Sequence, residues 1–243
     1  ERARGFGADS LATGHYARIT EVDGHLTLAR SADKEKDQTY FLFGMTQAQI
    51  AHTEFPLGDF EKKKTREIAR SLGLHTADKP ESQEICFVPE NDYRLFLQAE
   101  SPGVDRPGDI VDLEGNKVGS HPGVTNFTVG QRRGLGLGGK DPRFVVGLEA
   151  ETATVVVGER SALERESFRA EKIRWSIPFT EGEKYLSVQV RHRQKAVPSR
   201  VVPLGDDTAE VFPEDPAALG AVPPGQAAVF YDGDILHGGG WVA

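Results

Sequence analysis

The 243 residues are 38% hydrophobic and 27% charged, a globular composition long enough to bury a core in one large domain or two or three small ones. No apolar run approaches the roughly 18 to 20 residues needed to cross a bilayer, and the charged opening ERARGFGADS lacks the apolar centre of a signal peptide, so the expected location is cytoplasmic, with no membrane partner. The single cysteine, Cys86, excludes an internal disulfide and a CxxC zinc site, and a net charge of −8 excludes a uniformly basic nucleic-acid-binding surface.

Residues 9–16 read as a short buried strand that breaks at Gly14. Residues 17–30 alternate around Asp23-Gly24, a dipeptide that tolerates positive φ and predicts a hairpin. Thr46 and Gln49 have capping-box spacing for a short helix. Asp59 can cap a second helix through Leu72, with Ile68, Ala69 and Leu72 on one face and Gly73 as the stop. Asn91 can cap a third, containing Tyr93, Phe96 and Leu97. The breakers Pro102, Gly103, Pro107 and Gly108 then mark a domain boundary. Short strands follow at 109–113, 126–129, 144–148 and 154–158, a spacing that predicts a small β-barrel or sandwich. A second all-β block has strands at 168–175, 185–193, 200–203, 209–212, 227–231 and from 235 onward.

In the strand at 185–193, Leu186, Val188 and Val190 point one way, and Ser187, Gln189, Arg191 and Arg193 the other, predicting one core face and one basic, wet face. Residues 184–200 carry five basic side chains and no acidic one, so a local RNA-binding face is compatible with the net charge. Gly14 follows a strand, where a ligand can approach the backbone, with His15 beside it. Lys36, Asp37 and Gln38 combine a cation, an anion and an amide, suited to phosphate, ribose hydroxyl and base edge. Glu81 and Glu84 disfavour a thiolate at Cys86, so activation has to come from residues distant in sequence. The glycine-rich stretch 134–139 has the wrong spacing for a dinucleotide fingerprint, and with Gln131, Arg132 and Arg133 reads as a mobile, basic loop able to meet RNA. The seven histidines show no HxxxH or HExxH spacing, and no metal ligand set is identified.

Three strings in fixed order, ATGHYAR from Ala12, KDQTYFL from Lys36 and ESQEICFV ending past Cys86, closely resemble the tRNA-specific 2-thiouridylases. The likeness continues through NFTVGQRRGLGLGG from Asn126, VRHRQK from Val190, PGQAAVFYDGD from Pro224 and the closing GGGW. It implies an α/β remnant of a nucleotide-binding domain followed by two small all-β domains, a central β domain and a C-terminal β-barrel, divided at 1–100, 101–163 and 164–243. It further implies thiolation of the anticodon wobble uridine, with ATP as the substrate that adenylates the uridine oxygen. By the same resemblance Cys86 carries a persulfide delivered by a sulfur-relay protein or cysteine desulfurase, and Gly14 lies against the nucleotide. His15, Lys36, Asp37, Gln38, Arg191, His192 and Gln226 correspond to tRNA contacts, and the protein is expected to be monomeric.

The family's SGGxDS phosphate loop and its first catalytic cysteine are absent from these residues; both are expected upstream of Glu1, which makes the chain a truncated form, inactive alone. Glu84 stands where many relatives have glycine, and His192 where tyrosine is frequent. A competing reading is a non-catalytic RNA-binding β protein with Cys86 inert. A third, a cysteine hydrolase, lacks the sequence context of a nucleophile.

Overall fold

The computed structural model describes residues 2–78, 103, 105–138, 141–179 and 181–243. It divides into two compact units, one made of residues 1–79 with 166–243 and the other of 80–165. The leading stretch of the first unit contains α1 (Arg2–Gly5), β1 (Leu11–Ala12), β2 (Ala17–Val22), β3 (His25–Arg30), α2 (Thr39–Leu42), α3 (Gln47–Ala51), β4 (Thr53–Glu54) and α4 (Lys62–Ser71). The second unit holds β5 (Gly108–Val111), β6 (Lys117–His121), β7 (Phe144–Glu149) and β8 (Thr154–Gly158). The first unit then resumes with β9 (Phe168–Trp175), β10 (Lys184–Gln189), β11 (Val197–Pro203), β12 (Ala209–Pro213), α5 (Pro216–Leu219), β13 (Ala227–Asp232) and β14 (Ile235–Val242).

Strands β13-β10-β11-β12-β9-β14 hydrogen-bond in that order, and β13 also pairs with β14, so the six strands close on themselves. Closure removes the exposed edges that an open sheet would leave. Alternate residues point inward and form one core, including Ile173, Leu186, Val188, Val201, Val211 and Phe230. The hairpin β2-β3, turning at Asp23 and Gly24 with positive φ at both, extends the sheet beyond the barrel through the pairing of Ala29 with Ile235. A second core lies under it, where Leu28, Tyr40 and Ile50 pack on Val229, Tyr231 and Leu236. The two faces of β13 therefore serve two cores, which is why its sequence AAVFY is apolar without alternation. Close approach is needed on β14 as well: a Cβ at Gly239 would sit 2.5 Å from the Phe43 ring.

In the second unit the order is β6-β5-β8-β7, with β5 and β8 parallel and the other pairs antiparallel. Ile110, Val145, Val155 and Val157 form its core with Phe127 and Leu135.

The hairpin, the capping-box helix α3 and the strands at 144–148, 154–158, 168–175, 209–212 and 227–231 form as expected, within a residue or two of the anticipated ends. Other expectations change. The short strand near 10–13 is exposed, with β4 as its neighbour through a parallel two-residue pairing. Asp59 does not cap α4: Glu61 occupies the cap position without a side-chain bond, and Asp33 Oδ2 accepts the Lys62 N–H at 2.9 Å instead. Ile68 and Leu72 are exposed. Residues 126–129 are not a strand, because a 3-10 turn at Val124–Asn126 leads Phe127 into the core. The described part of the glycine-rich loop, 134–138, is not a free tether: Leu135 is buried between Gly134 and Gly136, both at positive φ. Strands β6 and helix α5 have no counterpart in the sequence reading, and α5 is capped by Asp215, whose carboxylate accepts the Ala218 N–H. The third expected helix, from Asn91, lies outside the described residues.

On β14, His237 is 4% exposed, and the Lys184 ammonium donates to its Nε2 at 3.1 Å. Burial, reinforced by the Lys184 charge and partly opposed by Asp232, lowers its pKa to about 4. Between about pH 4 and the ordinary value near 6.5, the unfolded chain binds a proton that the folded chain refuses, so stability falls as pH falls through this window. The thermal midpoint is expected to drop by roughly 3–6 °C between pH 7 and pH 5, and by less in His237→Gln. An equal drop in the variant contradicts the assignment.

Candidate functional site

Arg30, the last residue of β3, sends its guanidinium onto the barrel wall. The Arg30 Cζ lies 3.7 Å from the centroid of the Tyr231 ring on β13. Its Nη1 donates to Asp37 Oδ2 at 3.1 Å, and its Nη2 donates to Gln189 Oε1, at the end of β10, at 2.9 Å. A planar fork of donors that also stacks on an aromatic face is the geometry arginine supplies and lysine does not. Asp37, 6% exposed, has both oxygens engaged: Oδ1 accepts the Ser31 N–H at 3.0 Å, and Oδ2 also accepts the Thr39 hydroxyl at 2.6 Å. The Thr39 hydroxyl lies 3.2 Å from the Tyr231 hydroxyl. Burial pushes the Tyr231 pKa up to about 12, so the phenol keeps its proton.

This network fixes the loop of Lys36, Asp37 and Gln38. Gln38 closes its other side, because its N–H donates to the Tyr16 carbonyl and its Oε1 accepts the Tyr16 N–H, both at 2.9 Å. Tyr16 follows His15, whose Nδ1 lies 2.7 Å from the Thr13 hydroxyl and whose ring meets Phe55 edge-on. Gly14 is exposed, and a Cβ there would meet nothing closer than a Leu57 methyl at 3.8 Å, leaving its backbone open to a flat ligand.

The opposing element is a turn rather than a strand. Strand β10 ends at Gln189, Val190 is buried, and Arg193 takes a positive φ of 65°. The expected wet face is corrected accordingly: Gln189 is 4% exposed, and its Nε2 donates to the Arg191 carbonyl at 2.9 Å. The turn is also held from the far side, as Gln194 Nε2 donates to the Leu219 carbonyl at the end of α5 at 2.7 Å. Of the five cations in 184–200, Lys184 is directed to His237, and Arg200 pairs with Glu183 at 3.2 Å while stacking on Phe212. The remaining three, Arg191, Arg193 and Lys195, are gathered on the turn.

Loop and turn face one another across a cleft of about 210 Å³ lined by Arg30, Asp37, Gln189, His192, Arg193 and Lys195 among others. His192 packs against Phe41 with ring centroids 4.5 Å apart and planes tilted by 41°, and lies 6.1 Å from Tyr40. Burial and the Arg193 charge lower the His192 pKa, against a smaller upward pull from Asp37. Arg191 Nη2 reaches the Ala221 carbonyl at 3.4 Å, and its charge acts on Tyr40. Gln226 opens β13, its carbonyl accepting the Val242 N–H, and the Tyr40 hydroxyl donates to the next carbonyl, that of Ala227. The chain thus brings Lys36, Asp37, Gln38, Arg191, His192 and Gln226 to one side of the barrel, with Gly14 and His15 joined to them through Tyr16. Cys86 lies outside the described residues.

Arg30, Gln189 and Tyr231 hold the site together; none is among the expected site residues, and Gln189 is expected only as part of the wet face of its strand. Arg30 carried a weak signal as a charged residue directly after the buried run Thr27, Leu28 and Ala29 of its hairpin strand. Gln189 and Tyr231 carried none, since their roles depend on pairings made across more than 150 residues of chain. Among the described residues, no group of three or more His, Cys, Asp or Glu is arranged to hold a metal, and no helix is long and apolar enough to cross a membrane.

Residues 1–90 match a family model described as a tRNA methyl transferase HUP domain, 95–159 one described as a tRNA methyl transferase PRC-barrel domain, and 165–242 one described as an aminomethyltransferase beta-barrel domain. Proteins named tRNA-specific 2-thiouridylase MnmA are similar along the whole chain. That of Geotalea uraniireducens is 46% identical over 244 residues, covering 100% of this chain and 64% of its own length. Those of Syntrophotalea carbinolica and Chloroflexus aggregans are 44% and 47% identical, with 67% and 68% of their lengths covered. The chain therefore spans about two thirds of these relatives. A HUP-like segment, two β domains in the same order and this identity from end to end lead to one conclusion: the chain belongs to the tRNA-specific 2-thiouridylase family.

Proposed function

We propose that this chain is the RNA-holding and sulfur-carrying portion of an enzyme that replaces the C2 oxygen of the anticodon wobble uridine with sulfur. The observation that carries the reading is the convergence of the Lys36–Gln38 loop with the Arg191–Lys195 turn on one side of the barrel. Cations there can neutralise phosphates without a basic protein overall.

The roles within the site differ. Lys36, Arg191 and His192 meet the RNA directly, together with Gln226 and His15. Asp37 acts by position, since both of its oxygens are consumed by Arg30, Ser31 and Thr39. Gln38 likewise uses its carbonyl oxygen on Tyr16 and leaves its amide NH₂ for a base edge.

The chemistry requires activation because a carbonyl oxygen is a poor leaving group. ATP supplies an adenylate on that oxygen, and the open backbone at Gly14 fits the adenine nucleotide. A persulfide donor transfers its outer sulfur to Cys86, releasing the donor thiol. That sulfur then attacks C2, AMP departs, and a second cysteine attacks the inner sulfur, releasing the thiolated base and leaving a disulfide. These 243 residues contain neither an SGGxDS loop nor a second cysteine, so by themselves they do not complete the reaction.

Two outcomes test the reading. Arg191→Ala and Lys36→Ala are each expected to weaken binding of a tRNA with a wobble uridine and to reduce the slope of log affinity against log salt by about one, with the chain still folding cooperatively. Asp37→Ala is expected to lose affinity and also about 1–3 kcal/mol of stability, as the half-buried Arg30 loses its charged partner while keeping Gln189 and Tyr231. Salt slopes unchanged in both cation variants would remove the RNA site. Secondly, incubation with cysteine and a cysteine desulfurase is expected to add one sulfur to the Cys86 peptide by mass spectrometry, while ATP and tRNA yield no 2-thiouridine. A Cys86 that never gains sulfur would favour the non-catalytic RNA-binding reading.

A further inference from the structure

Residues 40–43 form an apolar run whose members are absorbed into the core beneath the hairpin, with one exception. Thr39 and Tyr40 are buried, and Leu42 and Phe43 pack against the core beneath the hairpin. Phe41 is 59% exposed. The Tyr40 beside it is anchored through its hydroxyl, which donates to the Ala227 carbonyl at 3.2 Å. The exposed ring is not isolated. It meets the His192 imidazole at 4.5 Å with 41° between planes, and the edge of Tyr40 at 5.5 Å. Arg193 and Lys195, both exposed, follow His192 on the same turn, with no carboxylate in residues 184–200.

A bare aromatic face beside clustered cations is the pairing that single-stranded nucleic acid recognises. A base stacks on the ring while its phosphates meet the charges. One phenyl ring is too small to anchor a protein interface, and the surrounding cations would face an apolar partner unpaired. It matches the area of one base. A base within a duplex has both faces covered, so the occupant is unpaired.

We propose that Phe41 and His192 form a stacking platform for one unpaired nucleobase of the bound RNA, with Arg193 and Lys195 holding the adjoining phosphates. This rests on the RNA-binding reading above and assigns Phe41 a role that the motif residues do not include. Stacking of this kind tolerates any base, so the platform selects an unpaired nucleotide rather than a sequence.

The test uses the full chain with RNA hairpins carrying 2-aminopurine at each loop position in turn. At one position the unsubstituted chain is expected to change the probe's fluorescence on binding. Phe41→Ala is expected to lose that change and to weaken hairpin binding by roughly tenfold or more, with the salt slope unaltered because no phosphate contact is lost. Phe41→Trp is expected to restore both, and Phe41→Leu, apolar but without a π face, neither. Arg193→Ala is expected to do the reverse, lowering the salt slope while keeping the fluorescence change. Equal affinity of Phe41→Ala, or full restoration by Phe41→Leu, overturns the platform and leaves the RNA-binding reading standing. Failure of the unsubstituted chain to bind any hairpin or tRNA overturns both.

Discussion

The arrangement of the site depends on the Arg30 guanidinium. It joins three parts of the chain: Asp37 from the following loop and Gln189 at the end of β10 through its N–H donors, and the Tyr231 ring of β13 against its face. A buried ion pair of this kind adds little net stability over an apolar substitute, since desolvation offsets most of the Coulomb attraction. Its effect is on position. An apolar contact would hold the hairpin to the barrel with latitude in register, whereas a fork with fixed donors admits one placement of the Asp37 carboxylate and one of the Gln189 amide. The loop and the turn inherit that placement. Gln189 passes it to the Arg191 carbonyl, and Asp37 to the backbone of Ser31 and the hydroxyl of Thr39.

The closed barrel supplies the rigid frame against which this works. Strand β13 packs inward through Phe230 and outward through Val229 and Tyr231, so the leading stretch of the chain is built onto the barrel rather than tethered to it. Gly239 permits the same on β14, where Phe43 lies in the space a side chain would fill. The cationic turn is pinned from the opposite side by Gln194 on the carbonyl end of α5. The polar groups of the candidate site, on a loop and a turn, are thus positioned by strands and a short helix that form the rigid scaffold beneath them.

Much of the local structure was legible in the residues. Asp23-Gly24 encoded a tight hairpin because both positions accept positive φ, and Thr46 with Gln49 encoded a capping box that forms with both reciprocal hydrogen bonds. Strand alternation located most of the barrel. Failures came where a distant group replaced a local one. Asp33, not the adjacent Asp59, receives the free N–H at the start of α4. The alternation after Tyr185 continued past the strand's true end, because period two cannot register that Arg193 turns left-handed. Gln189, still within β10, read as wet because alternation cannot register that Arg30 from the distant hairpin covers that face.

The sequence by itself determined the family, the order of the domains and which motifs carry polar residues suited to RNA, since these depend on residue identity and spacing along the chain. Tertiary structure alone decided what each of those residues is free to do. Asp37 looks like a ligand-facing carboxylate in KDQTYFL, yet its oxygens are fully engaged within the protein. Phe41 looks like core in the same string, yet its ring stands in water beside His192. Hydrogen-bonding capacity and burial belong to pairs of groups: Asp37 is engaged by its neighbours Arg30, Ser31 and Thr39, while Arg30 is held by Gln189 and Tyr231 and Phe41 meets His192, all distant in the chain. Closure of the barrel brings them together.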